Sequence, residues 1–340
     1  MIPNVITTPL IEEGGIWIGS EGRYWSNLDR DENQRFLEVI ETFGAEAAVQ
    51  RFYPEYFDVI FSQKRAGGLI LLDPQPGDLV VDAGCMWGAL TVPLARAGCC
   101  VVAVDQTRES LHLLKKRLEE EKRLDQVTLV CADLNQIAFA PGSVDKFVVD
   151  GVLEWLPESR DVELKKTYGK RGGGYSDMER PDRIQARFLS KAHAALKAGG
   201  TLYLAIENRY GLPMFLGVPD PHCNLRFITF LPRWLQDIVS QRLLGRPYRN
   251  WVYSGSAMER MLRSAGFTEI NTCFAFPDYR FPEYLLSKKG MWFYKPFQFA
   301  RAATKLKRIG CWLMERIAYQ GLGLTVLAPS LVFIARKGNP

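Results

Sequence analysis

The sequence has little of what marks several large classes of protein. It contains only three histidines, and its seven cysteines include no CxxC pair and no regular disulfide spacing. No uncharged apolar run approaches the roughly 18 residues of a membrane-crossing helix. The first residues show neither the basic nor the apolar region of a secretion signal. We therefore expect a protein of the reducing cytoplasm, neither secreted nor membrane-spanning.

Charge is also modest. The net charge of +5 gives no specific indication of a nucleic-acid partner. Hydrophobic residues make up 47% of the chain and charged residues 24%, which fits a globular protein with a sizeable core. At 340 residues the chain is longer than one minimal α/β domain, so we expect a core with insertions.

The segment from Leu79 to Arg96 predicts a strand, a tight turn and a helix. The apolar strand contains Asp82 near its end, and the turn contains Gly84 and Gly88. Glycine has no Cβ, so it permits a sharp turn and a close approach of the backbone to a ligand. A second apolar strand ends in Asp105, where a carboxylate can accept hydrogen bonds from both ribose hydroxyls. This pattern predicts an adenosine-containing cofactor.

The turn itself argues against a dinucleotide. Dinucleotide-binding turns have a second glycine that lets the backbone approach a pyrophosphate. Met86 stands at that place, so a pyrophosphate would meet a side chain. S-adenosylmethionine has no phosphate and joins adenosine to an amino acid through a sulfonium. The turn therefore favours S-adenosylmethionine and disfavours a nicotinamide oxidoreductase.

Five more predicted strands complete the pattern. They cover 127–132, 144–149, 201–206, 268–276 and 331–335, with helices over 182–197 and 256–264. Asp133-Leu134 follows the third strand of the series, placed to meet an adenine amino group. Asp150 ends the fourth, and Glu207 ends the fifth. Polar groups thus follow successive strands, at the edge where open α/β sheets bind ligands.

This order resembles the class I S-adenosylmethionine-dependent methyltransferases over residues 50–337. The resemblance implies an α/β fold with a Rossmann-like seven-stranded sheet, a reversed last strand and helices on both faces. A narrower resemblance is to methyltransferases of bacterial surface-polysaccharide gene clusters, and it implies a saccharide acceptor. The motifs that carry it are Gly151–Trp155, Ala205–Leu212, Phe215–Gly217, Asp220–His222 and Phe276–Pro282.

Methyl transfer from a sulfonium is an in-line displacement, so the acceptor must be held in line with the methyl group. A hydroxyl acceptor also needs a base, because it is a poor nucleophile at neutral pH. The candidate bases are His222, Asp150 and Glu207. Each also has a purely structural alternative. His222 can be a solvated loop histidine, Asp150 can cap the next turn, and Glu207 can pair with Arg209. The residues expected to bind the cofactor are Asp82, Gly84, Gly88, Asp105, Asp133, Leu134 and Asp150.

The side chains of Asp150, Glu207 and His222 can also hold a divalent cation through oxygen and imidazole ligands. Their spacing matches no fixed metal-binding motif, so we predict no metal site. The sequence at the end of the fourth strand, Asp150-Gly151-Val152-Leu153, lacks the Asn/Asp-Pro-Pro-aromatic motif that is associated with methylation of amino groups. DNA is therefore not an expected acceptor.

The chain divides into four regions: an N-terminal helical cap over 1–70, a cofactor-binding core over 71–208, an acceptor-side insertion over 209–255, and the rest of the core over 256–340. Insertions follow the fourth, fifth and sixth strands, and the last of them covers 278–326. Within it, apolar residues of 296–319 recur at helical spacing among basic ones. Such a helix packs on the core or on a second copy of the chain, or lies on an anionic membrane surface.

Together these features predict a cytoplasmic methyltransferase, or one at the inner face of the membrane, that uses S-adenosylmethionine. The expected reaction is O-methylation of a sugar or related polar metabolite in polysaccharide biosynthesis. Two alternatives stay open. One is a natural-product or RNA acceptor. The other is a non-catalytic partner subunit with the same fold.

Overall fold

The computed structural model describes residues 5–20, 30–62, 64–159, 179–287 and 324–339. Ten strands in these residues form one mixed sheet. They are β1 Ile11–Glu13, β2 Ile16–Ile18, β3 Leu79–Ala83, β4 Cys100–Asp105, β5 Val127–Cys131, β6 Val144–Asp150, β7 Leu196–Glu207, β8 Phe267–Phe276, β9 Tyr284–Ser287 and β10 Ser330–Lys337.

The helices of the described residues lie mostly between these strands. The α-helices are α1 Arg30–Phe43, α2 Ala45–Phe52, α3 Phe57–Phe61, α4 Thr91–Arg96, α5 Arg108–Glu120, α6 Leu156–Ser159, α7 Pro181–Ala195, α8 Leu212–Phe215, α9 Arg233–Leu244 and α10 Gly255–Ser264. Short 3₁₀ helices cover Pro54–Tyr56, Arg65–Leu71, Leu124–Gln126, Ile228–Phe230 and Thr325–Leu327.

The strand order is β1-β2-β5-β4-β3-β6-β7-β10-β8-β9. Strands β5, β4, β3, β6 and β7 are parallel, and β10 lies antiparallel between β7 and β8. The predicted Rossmann-like sheet with a reversed last strand is confirmed. Three short strands extend it beyond seven: the β1–β2 hairpin joins β5, and β9 joins β8. Strands of three or four residues are too short to show a period in sequence.

Helices cover both faces of the sheet, as predicted. Successive strand residues point to opposite faces, so Val81 and Val102 pack in a core that includes α7 and α10. Their neighbours Val80 and Val101 pack with α4, α5 and the 3₁₀ helix Arg65–Leu71. Both cores are apolar and buried, which fixes the sheet as the middle layer of three.

The N-terminal helices form a third cluster beside α5. Phe36 and Tyr53 pack against Trp87, which lies within the glycine turn, at ring-centroid distances of 6.0 and 5.0 Å. Within the predicted helical cap, α2 ends at Phe52 and a 3₁₀ helix begins at Pro54, because proline has no backbone N–H to continue the hydrogen bonds of an α-helix. The region before β3 also includes the β1–β2 hairpin, so it is not wholly helical.

Some sequence expectations lie outside the described residues. These include the amphipathic segment 296–319 and most of the predicted insertion after the fourth strand of the series, β6. None of the helices that the structure describes is long and apolar enough to cross a membrane.

Candidate functional site

A cavity of about 300 Å³ lies at the carboxyl edge of the parallel strands. Most of the residues singled out in the sequence line it. They are Asp82, Gly84, Asp105, Asp133, Leu134, Asp150, Glu207 and His222. Gly88 is not among the lining residues. The structure therefore brings together the predicted cofactor and acceptor residues, with one exception.

The order of the strands places five carboxyl groups in a row. Asp133, Asp105, Asp82, Asp150 and Glu207 come at or near the ends of β5, β4, β3, β6 and β7, in the order in which those strands neighbour one another. Adjacent strands lie about 4.8 Å apart, so the row spans the cavity. Asp133 and Asp105 lie toward one side of it, and Glu207 lies toward the other.

Asp105 holds the glycine turn in place. Its Oδ2 accepts a hydrogen bond from the Met86 backbone N–H at 2.9 Å, and its Oδ1 accepts one from Thr107 at 2.9 Å. Burial raises the pKa of Asp105, while these two N–H groups act in the opposite direction. A carboxylate oxygen has two lone pairs. Each oxygen therefore retains capacity for a ribose hydroxyl.

The two turn glycines have different structural roles. Both have positive φ, +79° at Gly84 and +78° at Gly88. A Cβ on Gly84 would overlap Val152, which itself lines the cavity. A Cβ on Gly88 would overlap Leu114 of α5 instead. Gly88 thus permits close packing of the turn on α5, and its expected contact with the cofactor stays a prediction.

Asp82 is buried beneath the turn. Its Oδ2 accepts a 2.6 Å hydrogen bond from the Thr91 hydroxyl at the start of α4. Burial raises the pKa of Asp82 to about 7, although the Thr91 hydrogen bond opposes this shift. The carboxyl group therefore ties the end of β3 to α4, in line with its expected role in supporting the turn.

Asp150 is paired with an arginine that the sequence analysis did not single out. Arg65 Nε donates to Asp150 Oδ2 at 2.9 Å, and Arg65 Nη2 lies 2.7 Å from the same oxygen. Burial raises the pKa of Asp150, and the Arg65 charge opposes that shift. Asp150 Oδ1 is buried and has no hydrogen-bond partner among the described residues. It is the oxygen of Asp150 that can accept a bond from a ligand.

A second cluster surrounds His222. Its Nε2 lies 3.7 Å from Glu154 Oε1 and 3.9 Å from Glu207 Oε2, and its Nδ1 lies 3.3 Å from Asp220 Oδ1. Burial lowers the pKa of His222, but the surrounding carboxylates outweigh it and raise this pKa well above its usual value. Burial and the Glu207 charge raise the pKa of Glu154. His222 is therefore a buried, carboxylate-bound group, which corrects the alternative of a solvated loop histidine.

Tyrosines and a tight turn hold the cluster. Asp220 Oδ1 accepts the backbone N–H of His222 at 2.9 Å, and Asp220 Oδ2 accepts the Tyr248 hydroxyl at 3.0 Å. The Tyr279 hydroxyl donates to Glu207 Oε1 at 3.2 Å. Asp220, His222 and Tyr248 all come from the 209–255 segment. That segment thus reaches the cavity through a rigid, hydrogen-bonded turn.

Several lining residues were missed as site residues. Arg65 and Tyr56 precede the first core strand, in a region where the sequence shows no motif. Tyr279, by contrast, lies inside one motif of the narrower resemblance, Phe276–Pro282. Glu154 does not line the cavity but lies beside His222, and it belongs to another of these motifs, Gly151–Trp155. Those motifs were the available signal, but they gave no role to the individual side chains.

Residues 80–168 match the family model described as a methyltransferase domain. The matched segment runs from β3 through Asp105 and Asp133 to beyond Glu154. The match supports the assignment to class I S-adenosylmethionine-dependent methyltransferases, with S-adenosylmethionine as the cofactor.

Curated relatives match part of the chain. A carboxy-S-adenosyl-L-methionine synthase of Photobacterium profundum is 31% identical over 132 residues, which cover 37% of this chain and 52% of that protein. A ubiquinone biosynthesis O-methyltransferase of Actinobacillus pleuropneumoniae is 30% identical over 144 residues, covering 40% of this chain and 58% of that protein. The chain thus spans about half the length of these relatives.

One solved structure is a phosphoethanolamine N-methyltransferase 2 of Haemonchus contortus in complex with S-adenosyl-L-methionine. It superposes with a TM-score of 0.46 and 17% identity, covering 89% of this chain and 60% of that one. A structural similarity this low supports no conclusion about function. The fold assignment rests on the strand order and on the family match.

Proposed function

We propose that the protein transfers the methyl group of S-adenosylmethionine to a hydroxyl group of a sugar or related polar metabolite. The observation that carries this proposal is the set of residues that line one cavity. It contains the glycine turn with Asp105 on one side and the polar groups of Glu207, His222 and Tyr279 on the other. Methyl transfer requires a cofactor and an acceptor held in line, and orientation alone supplies several kcal/mol.

The cofactor takes the side of the cavity at β3, β4 and β5. We expect Asp105 to accept the ribose hydroxyls and Asp133 with Leu134 to contact adenine. The turn at Gly84 and the open Oδ1 of Asp150 would meet the methionyl portion. This arrangement directs the methyl group toward β7.

The acceptor takes the side at Glu207. The lone pair of its hydroxyl oxygen forms the bond to the methyl carbon, the carbon–sulfur bond breaks onto sulfur, and the hydroxyl proton leaves to a base. Asp150 is a weaker candidate base because Arg65 already neutralises it. Glu207 is the better candidate, since its Oε2 is buried without a hydrogen-bond partner in the described residues. His222, whose pKa the surrounding carboxylates raise, can accept the proton only from its neutral form.

A saccharide acceptor is favoured by the convergence of four motifs. Four of the five motifs of the narrower resemblance each supply one side chain to the same cluster: Glu154, Glu207, His222 and Tyr279. A hydroxyl-rich acceptor needs several convergent donors and acceptors. This polar side of the cavity offers them.

We further propose that the protein acts in the cytoplasm on a polysaccharide precursor. If segment 296–319 contacts an anionic membrane, the protein will sediment with anionic vesicles and be released by salt. Absence of lipid-dependent pelleting would leave that segment as part of the core or of a homodimer contact.

Calorimetry tests the cofactor. We expect binding of S-adenosylmethionine and of its demethylated product, and no binding of NAD. Asp105→Ala should weaken binding by about 1.5–3 kcal/mol, the scale of hydrogen bonds to a charged group. Glu121→Gln is the control, because Glu121 pairs with Arg96 on the surface, away from the cavity. Binding of NAD without a response to S-adenosylmethionine would reject the proposal.

Mass spectrometry of an acceptor library tests the reaction. A methylated saccharide supports the proposal. Methylation of RNA or of a natural product would instead show that the proposed acceptor class is wrong. Formation of carboxy-S-adenosylmethionine would indicate the reaction for which several relatives are named. Cofactor binding without turnover on any acceptor would favour a partner subunit.

A further inference from the structure

We propose that Glu154, Glu207 and His222 form a binding site for one divalent transition-metal ion, such as Mn²⁺ or Zn²⁺. From sequence we predict no metal site, and the three side chains that could hold a cation there include Asp150 in the place of Glu154. The structure separates these two carboxyl groups. Asp150 pairs with Arg65, whereas Glu154 faces His222.

The spacing of the three side chains suits one ion. One ligand atom from each residue lies within 4.8 Å of the other two. His222 Nε2 is 3.7 and 3.9 Å from the nearest oxygens of Glu154 and Glu207. Two ligands bound at about 2.1 Å to the same ion lie at most about 4.2 Å apart. An inward movement of less than about 1 Å by the carboxylates therefore closes the set.

The ligand atoms are buried and lack other partners. Glu154 is 0% exposed, and neither of its carboxylate oxygens has a hydrogen-bond partner among the described residues. Glu207 Oε2 is also buried and also has no hydrogen-bond partner among these residues. Buried charges are normally paired or bound to a metal ion, because leaving water is costly. Three carboxylates surround one imidazole here. A divalent cation would balance the negative charge that remains beyond what His222 alone can neutralise.

The groups behind the ligands match those of known metal sites. A histidine ligand commonly directs its other nitrogen to a carboxylate, which orients the ring. His222 Nδ1 lies 3.3 Å from Asp220, and Asp220 is held in turn by the Tyr248 hydroxyl. The second ligand carboxylate, Glu207, receives the Tyr279 hydroxyl. Two of the three ligands are thus already oriented by partners outside the set.

The ligand types point to the class of ion. A set of carboxylate oxygens and an imidazole nitrogen suits manganese, iron or zinc better than it suits calcium, because calcium prefers oxygen ligands alone. Glu207 and His222 also line the cavity, so the remaining coordination positions face the acceptor. An acceptor hydroxyl bound there would lose its proton to solvent more readily, because the ion lowers its pKa. His222 is then a ligand and not the base. Only this catalytic consequence rests on the proposed function.

Metal binding can be measured without cofactor or acceptor. Chelator-treated protein would be titrated with Mn²⁺ and followed by calorimetry and by the electron paramagnetic resonance signal of free Mn²⁺. We expect one ion per chain. Glu154→Gln should weaken binding by at least about tenfold, and Asp220→Asn by about 10–100-fold. Glu121→Gln should bind as the unmodified protein does.

Thermal unfolding and S-adenosylmethionine binding check that Glu154→Gln is folded. No saturable binding of Mn²⁺ or Zn²⁺ by the unmodified protein would overturn the inference and leave the cluster as an imidazolium–carboxylate network. Equal binding by Glu154→Gln would overturn it too, since the ion would lie elsewhere. Failure to bind S-adenosylmethionine would instead reject the proposed function and leave the metal result standing.

Discussion

Arg65 and Asp150 form a largely buried ion pair across the floor of the cavity. The guanidinium comes from a 3₁₀ helix that precedes the first core strand, and the carboxylate comes from the end of β6. Both contacts converge on one oxygen, Asp150 Oδ2. The pair thus joins the N-terminal region to the centre of the sheet and leaves Oδ1 for a ligand.

Arg65→Met should destabilise the protein by about 3–5 kcal/mol, because it leaves the Asp150 charge buried without a partner. Urea unfolding measures this loss. In Arg65→Met/Asp150→Asn the loss should be smaller than the sum of the single losses. Arg96→Met removes a more exposed ion pair with Glu121 and should cost less than about 1 kcal/mol. Additive losses in the double variant would contradict the coupling.

Gly84→Ala should destabilise the protein by more than backbone strain alone. Gly77 is the matched control, since its φ is +86° and a Cβ there meets nothing within 4 Å. Gly77→Ala should therefore show only the left-handed strain of about 1–2 kcal/mol. Gly84→Ala adds a clash with Val152, worth about 1–3 kcal/mol more. Equal unfolding free energies for the two variants would disprove the close approach.

His222→Ala should lower turnover by about 10²–10⁴-fold while leaving S-adenosylmethionine affinity nearly unchanged. His222 lies on the acceptor side, away from Asp105 and Asp133, so the effect belongs to the reaction and not to cofactor binding. His112→Gln is the control, because His112 lies on α5 and does not line the cavity. Near-normal turnover of His222→Ala, measured on the true acceptor, would place the proton transfer at another residue.

Asp82 should make stability depend on pH. Burial raises its pKa in the folded protein to about 7, above the ordinary aspartate value of 3.8. Its contribution is therefore fully present below about pH 4 and is lost as the pH rises through about 7. Relative to Asp82→Asn, the unfolding free energy should fall over that range by up to about 4 kcal/mol. Parallel pH profiles of the two proteins would show that Asp82 is not perturbed.

The sheet and the row of acids were largely predictable from sequence. Each core strand is an apolar run, and an acid such as Asp105 or Glu207 at its end is visible in sequence. Because the strands are parallel and adjacent, their carboxyl ends must meet at one edge. The strands β1, β2 and β9 were not predictable, since so few residues show no period and pairing with a neighbour defines them.

The role of each side chain at that edge was decided by the tertiary structure. Sequence neighbours suggested Arg209 as a partner for Glu207, but the observed partners are Tyr279 and the His222 cluster. Gly88 has the same backbone conformation as Gly84 yet packs on Leu114. A turn motif specifies backbone conformation, whereas packing of other elements decides what that backbone touches.

By itself, then, the sequence determined the parallel sheet, the glycine turn and the acids at the strand ends, because these depend on periodicity and on residues close together in the chain. Only the tertiary structure decided that Arg65 neutralises Asp150 and that Glu154, not Asp150, faces His222. Those contacts join residues tens of positions apart. They depend on burial and on the distances that the packed core imposes, which no local pattern encodes.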